Sequence, residues 1–429
     1  MTAPWGVEQS SELDEQSSEF LARLDEVLEE VRTGADRRDR QREYAHKEVD
    51  LLKEIGFWRV NVPVAHGGLG LDVEVLVQAI MRLAGADGSL GQIPQNHFLT
   101  LERIRLSATP EQREHWLGRL GRGAAFSNGT AEPGELPPGQ SATTLVRDGD
   151  GWLVRGRKVY CTGSLLADVI AVQLRREDGS QCTVMVELDA AGVVVHDDWQ
   201  SLGQRTTASG SVEFHDVRVE DLAVVEHTAD PVAVYRISSL GQLLHAAIDA
   251  GIALRAVAEA QDLAGRVHGA RGAGPGVAYA DDVLGVALLG ELHVAALTAQ
   301  RLVEAAARRL AGLSAGSPVA EVADVFYEVA AAKLVSTRAS LQVTAGVFEV
   351  GGSSSTHPRH DYDRYWRDVR THTLHDAARW KPHAIGRWLL AQDVADPWSI
   401  GYPMRSLEEL RAAAGEASVA GRTGGTDVD

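Results

Sequence analysis

The hydrophobic pattern changes period twice along this chain, and that change limits the fold more than any single residue does. From residue 17 to 122 apolar residues recur at helical spacing. Leu21, Leu24, Leu28 and Val31 mark one face, and Leu51, Leu52 and Ile55 continue the pattern. Gly67, Gly68 and Gly70, after Pro63, read as a loop between helices. The helical pattern resumes over 73–83 and 111–120. Between 123 and 226 the period falls to two. Alternating runs at 144–147, 152–160, 169–173, 183–187, 192–196 and 211–219 are divided by turn residues such as Asp148-Gly149-Asp150-Gly151 and Asp178-Gly179, which predicts a small β-barrel or sandwich. From 235 to 390 long Ala/Leu-rich helical runs return, chiefly 284–313 and 321–347, and such helices pack as a bundle. A helix-like stretch from Arg405 gives way to GEASVAGRTGGTDVD, whose composition predicts disorder. The reading is α+β, mostly α: an N-terminal helical domain (1–122), a central β domain (123–230), a C-terminal helical bundle (231–400) and a tail (401–429).

Charge and cysteine usage narrow the partners. The 60 acidic against 42 basic residues leave a net charge of −18, which argues against nucleic acid or an anionic membrane as the main partner. Two cysteines, Cys161 and Cys182, make no disulfide framework and fit a reducing cytosol. The N-terminal MTAPWGVEQSSELDEQ has neither a basic nor an apolar segment of the kind a signal peptide needs. No uninterrupted apolar run reaches the ~18 residues of a membrane span. A cytoplasmic location is the expectation.

Several common site motifs are missing. There is no G-x-x-x-x-G-K-S/T phosphate cradle, no G-x-G-x-x-G dinucleotide turn and no H-E-x-x-H. The one G-x-S-x-G match, at 312–316, follows a long helical run, whereas a nucleophile elbow joins a strand to a helix. It reads as an interhelical loop. The pairs His357/His360 and His372/His375 lack a Cys or acidic third ligand, so no metal is expected.

Other segments carry a resemblance. GFWRVNVPVAHGGLGLDVEVL (56–76) with ADGSLG (86–91) resembles the N-terminal domain of acyl-CoA dehydrogenases. FSNGTAEPGE (126–135) is similar to their flavin-side loop, and GWLVRGRKVYCTGSLLAD (151–168) to the hairpin that follows it. DDWQSLGQRTTASGSVEF (197–214) and YWRDVRTHTLHDAARWKPHAIG (365–386) resemble the dibenzothiophene and dimethylsulfone monooxygenase branch of that superfamily; FEVGGSSST (348–356) fits less closely. The resemblance spans roughly 43–390. It implies the acyl-CoA dehydrogenase fold, with a central small β-barrel and a C-terminal four-helix bundle.

It also implies an activity. A member of this branch uses reduced FMN or FAD from a separate flavin reductase and activates O2 as a flavin C4a-(hydro)peroxide. It then oxygenates a small aromatic or heteroatom-containing substrate, with no nucleic acid or membrane involved. Such a peroxide needs a dry pocket with neutral donors and a titratable imidazole. The positions that match are His97, Asn128, Ser164, His372 and His375. Ser164 is expected at the flavin N5/C4a edge and Asn128 as a donor near the peroxide or substrate. His375, backed by His372, is expected to handle the proton, with His97 on the substrate side. Flavin contacts are expected from Thr130, Ala131, Ser164, Trp199, Gln204, Arg205, Ser209 and Arg370, with Arg266 or Arg271 reaching a neighbouring subunit of a homotetramer. Read by themselves, Ser164 is also a helical-turn cap, Asn128 a turn residue and His375-Asp376 a helix-end pair. One departure stands out: oxygenases of aromatic sulfur compounds tend to have an aromatic hydroxyl one helical turn after the histidine matching His97, and here that place is Leu101.

The alternative is an FAD-dependent acyl-CoA dehydrogenase. It needs a carboxylate base, usually a Glu after the R-D-x-K/R segment. After Arg367-Asp368-Val369-Arg370 the nearest carboxylate is Asp376; on the first bundle helix there is only Asp249, besides Gln242 and His245.

Overall fold

The computed structural model describes residues 15–134, 141–176, 180–266, 278–398 and 403–416. Six helices open the chain: α1 (Glu15–Gln41), α2 (His46–Glu54), α3 (Val73–Ala86), α4 (Gly88–Gln92), α5 (Gln95–Ser107) and α6 (Pro110–Gly121). Their boundaries follow local chemistry. Asp72 caps α3 by accepting from the Val75 amide, and Asp87 stops α3 and caps α4 through the Ser89 and Leu90 amides. Thr109 and Gln112 form a reciprocal capping box ahead of α6, with Pro110 in its first turn. Arg38 of α1 is 1% exposed and holds both Asp87 (2.8 Å) and Glu48 (2.6 Å), which fixes the α3–α4 corner.

Among the described residues the central domain has eight strands in two four-stranded sheets. Besides the six expected runs, which form β2 to β7, two short strands pair: β1 (Phe126–Gly129) and β8 (Val224–Glu226). The order in one sheet is β1, β4 (Val169–Arg175), β5 (Gln181–Glu187), β8, with β1 parallel to β4. The other runs β2 (Thr144–Asp148), β3 (Gly151–Lys158), β7 (Val212–Val219), β6 (Val193–Val195). Phe126, Val154, Val172, Val184 and Phe214 help fill the shared core; β4 and β5 bury consecutive residues instead of alternating ones, because both of their faces are covered. Cys161 and Cys182 are buried in it as thiols.

The C-terminal part rests on α7 (Pro231–Ala264), α8 (Val283–Ala311) and α9 (Val319–Gly351), with α10 (Asp363–His372) and α11 (Lys381–Ala391) across them. α7 is apolar on every side because it is packed on every side, by α9, α8 and α3. The segment 312–316 is the loop between α8 and α9, where Ser314 bonds only its own turn. Beyond α11 the chain returns: β9 (Asp393–Ala395) pairs with β10 (Met404–Ser406), and α12 (Leu407–Ala413) buries Leu407 and Leu410 against the bundle. The final Gly/Ser/Thr/Asp-rich stretch lies outside the described residues.

The crossing of α3 and α7 is close because both helices carry glycine there. A Cβ on Gly251 would sit 2.0 Å from the Met81 carbonyl oxygen, and one on Gly85 3.1 Å from the Gly251 carbonyl oxygen. Backbone cannot yield as a side chain does. Gly251→Ala is therefore expected to destabilise the protein by at least about 1–3 kcal/mol in chemical denaturation. Gly386→Ala in α11, with nothing within 4 Å of the new methyl, is expected to shift stability by about 0.5–1 kcal/mol the other way.

Candidate active site

One loop ties the three parts of the chain together. Residues 199–209, between β6 and β7, turn on Gln204 and Ala208, both non-glycine residues at positive φ (49° and 50°). The Gln204 amide donates to the buried Asp368 carboxylate of α10 (2.5 Å), and its side chain donates to the Gly88 carbonyl of α4 (3.1 Å). Its carbonyl accepts from Trp199 Nε1 (2.8 Å) and Thr207 Oγ1 (3.0 Å). The Gly203 amide donates to Thr371 Oγ1 (3.0 Å), so close that a Cβ on Gly203 would lie 1.9 Å from the Arg367 carbonyl oxygen. Burial pushes the Asp368 carboxyl up to about 7.

Hydroxyls line the next stretch. Ser209 Oγ bonds Thr162 Oγ1 (2.9 Å) and Thr207 Oγ1 (2.7 Å). Ser164, 3% exposed, donates to the Ala208 carbonyl (3.2 Å). Its proton is thus committed and its oxygen lone pairs remain as acceptors. Ser164 sits in a turn opened by Gly163 (φ 81°), not at the start of a helix.

The opposite side is built of imidazoles. His372 of α10 bonds Asp249 Oδ1 through Nδ1 (2.5 Å) and His245 Nδ1 through Nε2 (2.9 Å). The His375 ring lies 3.9 Å from the His245 ring, tilted by 36°. Asp249 Oδ2 accepts from Lys333 Nζ of α9 (2.7 Å) and Thr337 Oγ1 (3.2 Å). Asp376 is paired with Lys381 (2.8 Å), which also reaches Gln242 (3.0 Å). Burial raises the Asp376 carboxyl, but Lys381 and Lys333 outweigh it and hold the group below its ordinary range.

Contacts run in a ring from one side to the other. Ser164 meets Ala208; Thr207 meets Gln204; Gln204 meets Asp368, one turn of α10 from His372; His372 meets His245. One turn back on α7, the Gly241 carbonyl accepts from Gln95 Nε2 (3.3 Å), and two residues along α5 His97 takes the Phe126 amide. Asn128 follows on β1, and a Cβ on Gly163 would approach that of Ser127 to 3.9 Å, which closes the ring at Ser164.

The structure corrects the expectation for His97. It is fully buried among Trp58, Phe98 and Phe126, and both ring nitrogens are taken by backbone: Nε2 by the Trp58 carbonyl (2.6 Å) and Nδ1 by the Phe126 amide (3.2 Å). No nitrogen is left for substrate. Its ring instead clasps the N-terminal layer to β1. Leu101, one turn on, is buried in the β-domain core. Arg266 lies past the end of α7 beside Asp262 (3.9 Å), 21 residues from His245 and so about 30 Å along the helix. That distance sets it apart from its own subunit's ring, and the expected reach was to a neighbouring subunit. Arg271 lies outside the described residues. Thr130 is exposed and Ala131 bridges Val159. Trp199 packs edge-on against Tyr160 (5.9 Å). Arg205 has no side-chain partner among the described residues and lines a hollow of about 590 Å³ with Arg40, Arg42 and Arg367.

Sequence reasoning passed over Lys333 and Lys381, and took His245 and Asp249 only as poor substitutes for a dehydrogenase base. The signal was present: His245 and Asp249 are four apart and share a helix face, and Lys333 interrupts the apolar run AAAKLV.

Family comparison follows the same outline. The chain matches the acyl-CoA dehydrogenase N-terminal domain over residues 14–124, the middle domain over 129–217 and the C-terminal domain over 243–380. It belongs to the acyl-CoA dehydrogenase family. A dibenzothiophene monooxygenase from Rhodococcus erythropolis is 31% identical over 390 residues, covering 85% of this chain and 91% of the relative. A probable FMNH2-dependent monooxygenase, SfnC, from Pseudomonas putida is 28% identical over 80% of this chain and 87% of its own length. The dibenzothiophene monooxygenase TdsC from Paenibacillus sp. A11-2, solved with FMN and indole, superposes with a TM-score of 0.81 at 27% identity, over 88% of this chain and 99% of that one. Within the family, the chain lies in the monooxygenase branch.

The His97 clasp carries a pH signature. Burial lowers this imidazole to about 4, against 6.5 when unfolded, so the folded protein keeps it neutral. The contribution is complete above 6.5 and is lost as pH falls from there toward 4, in total roughly 3 kcal/mol. In His97→Gln the loss of stability between about pH 7.5 and about pH 5 should be smaller by about 2 kcal/mol, read by denaturant titration at each pH.

Proposed function

We propose that this chain is the oxygenase component of a two-component flavin monooxygenase, taking reduced flavin from a separate reductase and using O2 on a small aromatic or heteroatom-containing molecule. The observation that carries the reading is the make-up of the linked contacts: three imidazoles gather on α7 and after α10, the hydroxyls of the 162–209 segment join them through Gln204 and Asp368, and the carboxylates among the imidazoles, Asp249 and Asp376, are already tied to lysines. A dehydrogenase base must be free to take a carbon-bound proton at working pH, and Asp376 beside Lys381 is a weak base.

The residues fit a flavin. Among the described residues the buried Asn128 Oδ1, Gln92 Oε1, Gln95 Oε1 and Arg370 Nε have no hydrogen-bond partner, and they are acceptors and a donor of the kind that the edge of an isoalloxazine seeks. Bound there, reduced flavin supplies the two electrons and the site of O2 activation. Ser164 Oγ, its own proton committed to Ala208, accepts from a ring N–H. Gln204, Ser209 and Trp199 hold the adjoining loop, and Arg205 and Arg370 offer positive charge to a phosphate. His375 and His245 exchange protons at the reacting side. Relatives favour FMN: SfnC is a probable FMNH2-dependent monooxygenase, and TdsC was solved with FMN bound. Leu101 in the core argues that the substrate gains no hydroxyl handle there.

The assembly we place on α8. Val283, Leu284, Val286 and Val294 stand on its outer side at 81%, 81%, 47% and 61% exposure, and a second copy would cover them, as a homotetramer requires. A cytoplasmic site, where reductases replenish reduced flavin, completes the proposal.

Purified protein is expected to be nearly colourless. Mixed anaerobically with chemically reduced FMN and then with oxygen in a stopped-flow spectrometer, it should delay the return of oxidised-flavin absorbance; return at the rate of free FMN would overturn the reading. Ser164→Ala is expected to weaken reduced FMN binding about fivefold in an anaerobic fluorescence titration, the loss of one hydrogen bond. Dibenzothiophene and indole are the first substrates to assay.

A further inference from the structure

We propose that Asp249, anchored by Lys333, is a positioning residue that fixes a single proton arrangement along His372 and His245, leaving His245 with a bare Nε2 beside His375. The proposal deepens the oxygenase reading and rests on it for its purpose, though not for its geometry.

The arrangement follows by elimination. Asp249 is fully buried, and its Oδ2 takes Lys333 Nζ (2.7 Å) and Thr337 Oγ1 (3.2 Å). Burial alone would raise this carboxyl, yet the Lys333 ammonium beside it and the hydrogen bonds it accepts from His372 and Lys333 hold it below its ordinary range, so it is ionised and can only accept. The proton in the 2.5 Å contact therefore sits on His372 Nδ1. Burial holds both His372 and His245 below the ordinary histidine range, so each ring is neutral and carries one proton. His372 Nε2 is then a lone pair, and His245 Nδ1, 2.9 Å away, must donate to it. The only proton of His245 is spent there. Its Nε2 has no hydrogen-bond partner among the described residues and is left as an acceptor, next to the ring of His375.

Stability does not explain this construction. A lysine and an aspartate at 1% and 0% side-chain exposure cost desolvation that an apolar pair would avoid. What the pair does supply is a fixed tautomer and a counter-charge. A proton taken up at His245 Nε2 makes an imidazolium whose charge is offset, through His372, by Asp249. That is the service a carboxylate gives to the histidine of a hydrolase triad. The groups that face the two rings are Gln242 and Asp249 from α7, Lys333 and Thr337 from α9, His375 and Asp376 from the loop after α10, and Lys381 from α11.

The test uses the full-length chain and the double variant Asp249→Asn/Lys333→Met, which removes both charges together so that neither is stranded, with little change of volume. In protein labelled with 15N at histidine, two-bond 1H–15N correlations report which nitrogen of each ring is protonated, with assignments from His245→Gln and His372→Gln. Wild type is expected to show Nδ1–H on both rings. In the double variant the two rings should lose that single arrangement, and the pH profile of FMN reoxidation should move by about one unit or more. Binding of reduced FMN should stay within about twofold of wild type. Nε2–H on wild-type His245, or a double variant with unchanged tautomers and an unchanged pH profile, overturns the proposal. If the double variant fails to fold, the wild-type tautomers alone decide. If wild type leaves FMN reoxidation at its free rate, the oxygenase reading fails, and the ring signals still decide the proton arrangement.

Discussion

The buried hydrogen bond from the Gln204 amide to Asp368 holds the molecule's three parts in one geometry. α10 belongs to the bundle, the loop belongs to the β domain, and the same glutamine reaches α4 in the N-terminal layer. Each partner is expensive to bury unpaired: an orphaned amide or carboxylate in this interior costs on the order of 1–3 kcal/mol. Once they meet, the hydroxyl-bearing loop and the imidazole-bearing α10 are joined through one glutamine and one aspartate. Arg367 reinforces the join by gripping both oxygens of Asp39 in α1 (3.1 and 2.6 Å).

Much of the fold was legible because it depends on period. The six alternating runs became β2 to β7, and the long Ala/Leu runs at 284–313 and 321–347 became α8 and α9 within a few residues. β1 and β8 were missed for a physical reason. Their residues, Phe126-Ser127-Asn128-Gly129 and Val224-Val225-Glu226, carry no apolar–polar alternation, and the strands exist because β4 and β5 offer them edges. The return of the chain after α11 is similar: β9 and β10 pair across residues whose pattern alone is silent.

The candidate site was legible in parts. His372, Ser164, Gln204 and Ser209 stand where contacts converge, and a motif could point to them because they lie in compact segments. His97 misled because sequence shows the residue type but not the saturation of its nitrogens by the Trp58 carbonyl and Phe126 amide. Lys333 escaped because its partner is 84 positions away on another helix. Buried polar contacts between distant helices leave only a faint trace in a sequence: one charge on an otherwise apolar face.

The glycine crossing of α3 and α7 has a consequence for catalysis as well as for packing. Gly251 is two positions beyond Asp249 on the same helix, so the contact that seats the N-terminal layer and the carboxylate that orders the imidazoles share half a turn of backbone. A helix moves as a rigid rod over that length. Warming or mild denaturant that loosens the seat would tilt the carboxylate with it. Proton handling should thus degrade before the fold does, which makes the enzyme's pH response an early gauge of how firmly its layers are joined.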